Sequence, residues 1–435
     1  MNYIINKIKT LTFFLYIIKR KFKLYILKSN DNHLKNRILK NTYKNPKMSK
    51  IQETLMKTKF NLIYDKKNLY GYTQGSPNFF GYVILGNIYF DFVNSLIKEI
   101  RKDKIEKLYF LSRDGEIIKK VYDILSQGLT DLPKSNYLYA SRRSLNTLSI
   151  NSIECVIELM QEKKFANCKI EDIFYNRFGC DKKLVREHLN RNNYSKYDLV
   201  YSNKSETEFV IRLLEDIIME RIKFEKDNLI NYYKEQGLLS NEKMAIVDIG
   251  HEGSLQKALY KYLDKKITGY YFATFYEIKE NVEKYGMKTW GYVGNGIINK
   301  LHFYKSNLLF LENIFLNSDK SFAYIEEGKI CTVEEKASNR SIFADEVHLG
   351  IVNYISDIYD FIGEDINQIP LENNPKKGME NLLNLINNPT MADVEIFENI
   401  IFENQYSCMT DKYLIDKEAR TKSIWQEGFI ISKKL

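Results

Sequence analysis

Apolar residues run along this chain in two rhythms. Short unbroken runs, such as Leu108-Tyr109-Phe110-Leu111, Tyr137-Leu138-Tyr139-Ala140 and Met244-Ala245-Ile246-Val247, have the length and continuity of strands buried on both faces. Elsewhere apolar residues recur three and four apart. Ile117, Ile118, Val121, Ile124 and Leu125 do so, and predict a helix over Glu116–Leu125. The rhythms alternate in order. A turn-rich stretch from Leu69 to Pro77 leads into a long apolar helix over Asn78–Arg101, then a strand over Lys107–Ser112, the helix, and a second strand ending at Ser141. Later come a strand over Met244–Asp248, a helix over Ser254–Leu263 and a strand over Ile267–Ala273, at the spacing of a βαβ unit.

Residues 150–240 read as almost wholly helical, as in Phe209 to Glu220, where apolar and charged positions alternate at helix period. From Asn295 the pattern is mixed, with more helix after Val347. The expected fold is α/β, a Rossmann-like, mainly parallel sheet with a large helical insertion and a mixed C-terminal extension. The expected divisions are a basic tail and connector (1–67), the first part of the sheet domain (68–149), a cap-like helical insertion (150–240), the second part (241–330) and a largely helical extension (331–435).

In open parallel sheets, ligands sit beyond the carboxyl ends of the strands, where helix N-termini offer unpaired N–H groups to anions. Three loops occupy such positions. Ser112-Arg113-Asp114-Gly115 follows the first strand; Asp114 there serves chemistry, caps a helix, or does both. Ser141-Arg142-Arg143-Ser144 follows the second and places two guanidinium groups at a helix start, where a cation is disfavoured unless an anion lies between them. Asp248-Ile249-Gly250-His251-Glu252-Gly253-Ser254 follows the third; Gly250, Gly253 and Ser254 suit a phosphate held by backbone N–H groups, beside an acid able to hold a metal or a sugar hydroxyl. His251 is a candidate general acid or base. Ser112, Arg113, Ser141, Arg142 and Arg143 are the remaining candidate phosphate ligands. Asp114 and Asp248 serve acid–base work or hold Mg²⁺, which binds through one or two carboxylates plus phosphate oxygens.

Charge narrows the choice of partner. The chain of 435 residues carries a net +9, but residues 1–50 hold 13 Lys/Arg and one acid, Asp31, which leaves the remainder slightly acidic. A nucleic-acid-binding face is therefore not expected of the folded body. The run Thr10–Ile18, flanked by Lys and Arg, is too short to span a bilayer. Contact of residues 1–28 with an anionic membrane surface is the less favoured reading; a start at Met48 is the plainer one. Five cysteines, odd in number and without a CxxC pair, fit a reduced, cytoplasmic chain.

The strings Leu108-Tyr109-Phe110-Leu111-Ser112-Arg113-Asp114-Gly115, Tyr139-Ala140-Ser141-Arg142-Arg143, Val247 to Gln256, Gly269-Tyr270-Tyr271 and Leu311-Glu312-Asn313-Ile314-Phe315, with Ser321 and Tyr324, occur here in one order. Over roughly residues 69–330 they resemble the C-terminal module of predicted haloacid-dehalogenase (HAD) superfamily hydrolases of bacterial surface-polysaccharide loci. The resemblance implies an enzyme acting on a phosphorylated sugar or nucleotide-sugar precursor by phosphoester hydrolysis or transfer, in the cytoplasm or peripheral to the inner face of the membrane, and adds Glu312 to the substrate-binding set. One departure stands out: the nucleophilic aspartate of the HAD signature falls on Ser112, which leaves only Asp114 in the acid–base place. Two other readings stay open. An apolar strand ending in an acid and a Gly–hydroxyl loop is also the pattern of phosphoribosyl or glycosyl transfer. The missing nucleophile suits a non-catalytic binding partner of a glycosyltransferase.

Overall fold

The computed structural model describes residues 71–162, 165, 167–294, 302–315, 317–333, 339–363, 375–402, 412–418, 421 and 423–433, together with 51, 54, 55 and 59. The amphipathic segment over 1–28 and the start at Met48 lie outside the described residues. Of the expected connector, Ile51 and Leu55 are buried in the main core, and Lys59 Nζ pairs with Asp357 at 3.2 Å.

The centre is a five-stranded, all-parallel sheet in the order β2-β1-β5-β6-β7, a Rossmann-like α/β arrangement. Its strands are β1 (Lys107–Leu111), β2 (Ser135–Leu138), β5 (Met244–Asp248), β6 (Thr268–Tyr271) and β7 (Thr289–Gly291). Alternate residues of β1 enter different cores: Leu108 and Phe110 join the core built around the long helix α1 (Pro77–Asp103) and α2 (Gly115–Leu125), while Tyr109 and Leu111 face the opposite layer. Ala245 and Val247 of β5 divide from Met244 and Ile246 in the same way. Both faces are thus covered, which is why these strands read as continuous apolar runs. Helix α1 is long and apolar enough to cross a membrane, yet 94% of its most apolar window is buried within the fold. It starts where Ser76 accepts a hydrogen bond from Phe79 N and Pro77 opens the first turn.

The helical insertion follows α3 (Arg142–Ser149). It contains α4 (Ile153–Glu162), α5 (Ile170–Phe178), α6 (Lys182–Arg191), α7 (Lys204–Leu213) and α8 (Glu215–Glu235). Apart from these helices it carries a two-residue antiparallel pair, β3 (Cys168–Lys169) with β4 (Asp198–Leu199). The insertion has its own apolar core, including Val156, Phe174, Leu189 and Val210. Helix α8 serves two cores: Ile218 and Ile222 enter that of the insertion, Leu229 and Tyr233 that of the sheet. Burying one helix in both bodies fixes the insertion against the strands.

After α9 (Ser254–Leu263) and α10 (Leu308–Phe315), the hairpin β8–β9 (Phe322–Glu326, Lys329–Thr332) crosses the boundary expected at 330. Helix α11 (Arg340–Ile362) begins before the expected Val347 and buries Val347, Ile351, Tyr354 and Ile358 in the same core as α1. The C-terminal segment is therefore a layer of the main body, and it carries Arg340 toward the strand ends.

Candidate functional site

In this strand order the chain reverses direction between β1 and β5, which makes a crevice at the carboxyl edge of the sheet. Asp114 follows β1 and Asp248 ends β5, so the two acids flank that crevice. Residue register keeps them level, with Phe110 beside Val247.

Asp114 sits at the N-cap position of α2, but its side chain makes no capping hydrogen bond. Its Oδ1 is sealed from solvent and has no hydrogen-bond partner. Of the two roles open to this acid, capping is thus excluded. Burial raises its pKa, opposed by the charges of Arg113, Arg340 and Arg142. Asp248 is raised too, first by burial and then by the charge of Asp114, against one backbone hydrogen bond from Ile249 N at 2.8 Å. Two carboxylates that disturb each other, one with an unpartnered oxygen, form a donor set that suits a hard cation such as Mg²⁺. Among the described residues no group of three or more His, Cys, Asp or Glu side chains is placed to hold a metal, so such an ion would need substrate oxygens to complete its shell.

Glu312 on α10 is the third acid; burial and then Asp114 push its pKa up to about 7, while Arg142 opposes. Behind it lies His251, whose side chain is 8% exposed and whose ring stacks on Phe275 with centroids 4.6 Å apart. Its Nε2 is 3.0 Å from the Tyr304 hydroxyl, and its Nδ1 is 3.6 Å from Glu312 Oε1, in electrostatic but not hydrogen-bonding reach. Burial lowers the imidazole to about 4, so it is neutral at pH 7. The His251 ring, the general acid or base expected from the loop, is thus buried and hydrogen-bonded to Tyr304, with Glu312 in electrostatic reach.

The loop glycines have steric reasons. At Gly250 (φ 135°) a Cβ would lie 2.1 Å from Ala273 O, and at Gly253 (φ 71°) 2.4 Å from Val282 Cγ2. Gly253 is the N-cap of α9 and supplies no side-chain cap, which leaves the helix N-terminus open beside Ser254. The Ser112–Arg113 and Gly250–His251 peptide bonds are cis.

Three expected ligands have partners within the fold. Arg143 is 5% exposed; its guanidinium pairs with the fully buried Glu225 and lies 5.3 Å over the Tyr324 ring, so it ties α3 to α8 and does not reach the crevice. The Ser112 hydroxyl donates to Ala140 O and accepts from Ala140 N, both at 3.1 Å, which stitches the end of β1 to that of β2. Ser141 accepts from Ser144 N at 3.1 Å in a capping box that starts α3. Their positions were readable in the chain; their partners were not.

The crevice therefore gathers Arg113, Asp114, Arg142, Asp248 and Glu312 from the expected set. It also includes three residues that local patterns gave no reason to select. Arg340 opens α11, donates to Asn317 O at 3.1 Å and opposes the raised pKa of Asp114. Tyr89 of α1 and Tyr304 are buried, with pKa values raised by burial and then by the acids of the crevice: Asp114 at Tyr89, and Glu312, Asp114 and Asp248 at Tyr304. No protein-family model matches the chain, and no curated protein matches it.

Proposed function

We propose that the protein is an enzyme that hydrolyses or transfers a phosphoester of a phosphorylated sugar or nucleotide-sugar precursor in bacterial surface-polysaccharide assembly. The observation that carries this reading is the convergence of two carboxylates, Asp114 and Asp248, with Arg113, Arg142 and Arg340 at the topological crevice. The resemblance to the C-terminal HAD-associated module supplies the polysaccharide context and the cytoplasmic setting.

Phosphoryl transfer asks a protein mainly for position and for charge to balance that on the equatorial oxygens. Arg113, Arg142 and Arg340 provide cations around the crevice, and the uncapped start of α9 adds N–H donors. Asp114 and Asp248 would hold Mg²⁺, which when bound draws negative charge off the phosphoryl oxygens. Ser112 is committed to Ala140, so the attacking oxygen belongs to water or to an acceptor hydroxyl. Glu312 takes its proton, with the His251 ring beside it and that ring hydrogen-bonded to the Tyr304 hydroxyl. Tyr89 and Tyr304 line the inner wall and keep bulk water from it.

The test is phosphate release from a panel of sugar phosphates and nucleotide-sugars with Mg²⁺, with and without acceptor sugars. Asp114→Asn and Asp248→Asn should each lower turnover by at least about a hundredfold, as expected on removing a group that acts on the transition state. Tight binding of the same ligands, with no turnover under any condition, would favour the non-catalytic partner of a glycosyltransferase.

A further inference from the structure

A cavity of about 500 Å³ opens next to the crevice, between α9 and the helical insertion. Arg142 and Ser254 belong to both spaces, so the cavity continues directly from the phosphate-binding rim. Its cations come from three elements: Arg142 of α3, Lys226 of α8, and Lys257 with Lys261 of α9. Against these it holds one carboxylate, Glu158. Lys226 Nζ is pinned by Ile150 O at 3.2 Å and Asn151 Oδ1 at 2.6 Å, which fixes its charge in the wall. Among the described residues no carboxylate forms an ion pair with Lys257 or Lys261, although acids pair with lysines over much of the surface. Lys257 and Lys261 are one helical turn apart, and α9 starts at the open cap beside Ser254. A single phosphate in the crevice would leave this row of charge unused. One part of the wall is apolar and aromatic, with Leu148, Leu159, Leu255 and Tyr262, and Asn146, Ser149, Asn151 and Asn281 add polar groups beside it.

We infer that this cavity receives the second phosphoryl group and the nucleoside of a nucleoside diphosphate-linked sugar, while the crevice holds the phosphoryl group that reacts. Arg142 stands between the two phosphoryl positions. Lys257 and Lys261 neutralise the outer one, and the Leu148–Leu159–Tyr262 wall accepts the base. The size fits: ligand pockets of about 300–1,000 Å³ take molecules of this class. This inference rests on the phosphoester reading above and narrows its substrate from sugar monophosphates to nucleotide-sugars.

The experiment is titration calorimetry on the full chain with Mg²⁺, using glucose 1-phosphate against UDP, GDP, CDP and ADP. At least one nucleoside diphosphate should bind tenfold or more tightly than glucose 1-phosphate. In Lys257→Ala/Lys261→Ala the ratio of the two affinities should fall to near one, with an unaltered melting temperature, because neither lysine is buried. If no nucleoside diphosphate outbinds glucose 1-phosphate, or the double variant keeps the ratio, the second subsite is wrong while the phosphoester reading stands on the monophosphate. If neither ligand class binds the wild-type chain, both readings fall together.

Discussion

Adjacent arginines at the start of α3 offer the sharpest test of how this site is built. Arg142 is exposed on the rim and its charge opposes the raised pKa of all three acids of the crevice. Arg143, one residue on, is turned roughly 100° around the helix and buried against Glu225, which is fully shielded from solvent. Replacing each with methionine keeps side-chain length and removes charge. In Arg143→Met the Glu225 carboxylate loses one of two cations; Arg221 Nε remains at 2.8 Å. Breaking a buried pair outright costs about 3–5 kcal/mol, and the contact with Tyr324 adds up to about 1 more. With Arg221 retained, we expect a loss of about 2–4 kcal/mol. At roughly 2–4 °C per kcal/mol for a large domain, the melting temperature should drop by about 4–16 °C. Arg142→Met should leave the melting temperature within about 1 °C and weaken inorganic phosphate binding about tenfold, the worth of one charge-assisted hydrogen bond. Differential scanning fluorimetry and phosphate titration on both variants separate the roles. The assignment is refuted if Arg143→Met weakens phosphate binding at unchanged stability, or if Arg142→Met binds phosphate like the wild type.

Two further outcomes follow from the strand ends. Ser112→Ala removes both hydrogen bonds to Ala140 and should cost about 1–3 kcal/mol of stability while retaining most phosphate release, measured by denaturant unfolding and a phosphate assay; a turnover loss of a hundredfold in a stable protein would restore Ser112 as a nucleophile. His251 gives a pH signature. Its pKa falls from 6.5 to about 4 on folding, so below about pH 6.5 the unfolded chain takes up a proton that the folded chain refuses. Stability from this group is complete above that pH and is lost as pH falls toward 4, by up to about 3 kcal/mol. His251→Gln should flatten the decline in melting temperature between pH 7 and 4.5, and an unchanged slope would show that the imidazole is protonated in the fold.

What the chain disclosed in advance follows the range of the forces involved. Strands buried on both faces leave their mark within a few residues, so β1 and β5 were legible from Leu108–Leu111 and Ala245–Val247. Helix α2 was legible from one apolar stripe, and the loop after Asp248 from its paired glycines. Ends were less so. Strand β2 stops at Leu138, short of the expected Ser141, because Ser112 captures Ala140 and Ser141 turns to cap α3. Strand β6 is assigned only to Tyr271, yet Phe272 N and Ala273 N still bond to Asp248 O and Ile249 O, so the expected length reflects the backbone path.

The site itself divides along the same line. Asp114, Arg142 and Asp248 announce themselves because a polar cluster at a strand end has no local packing reason to be there. Arg143 looks identical in sequence, and only Glu225, 82 residues away, decides that it is a structural cation. Arg340 was invisible for the converse reason. It opens a helix whose apolar face belongs to the core with α1, and nothing near it in sequence marks the crevice. Tyr89 and Tyr304 are aromatic residues among many, distinguished by the acids they face and not by their neighbours in the chain. A strand-end motif therefore specifies where charge gathers. How far that charge is balanced depends also on burial and, at Asp114, on Arg340 of α11, which becomes a neighbour only when both faces of the sheet are covered.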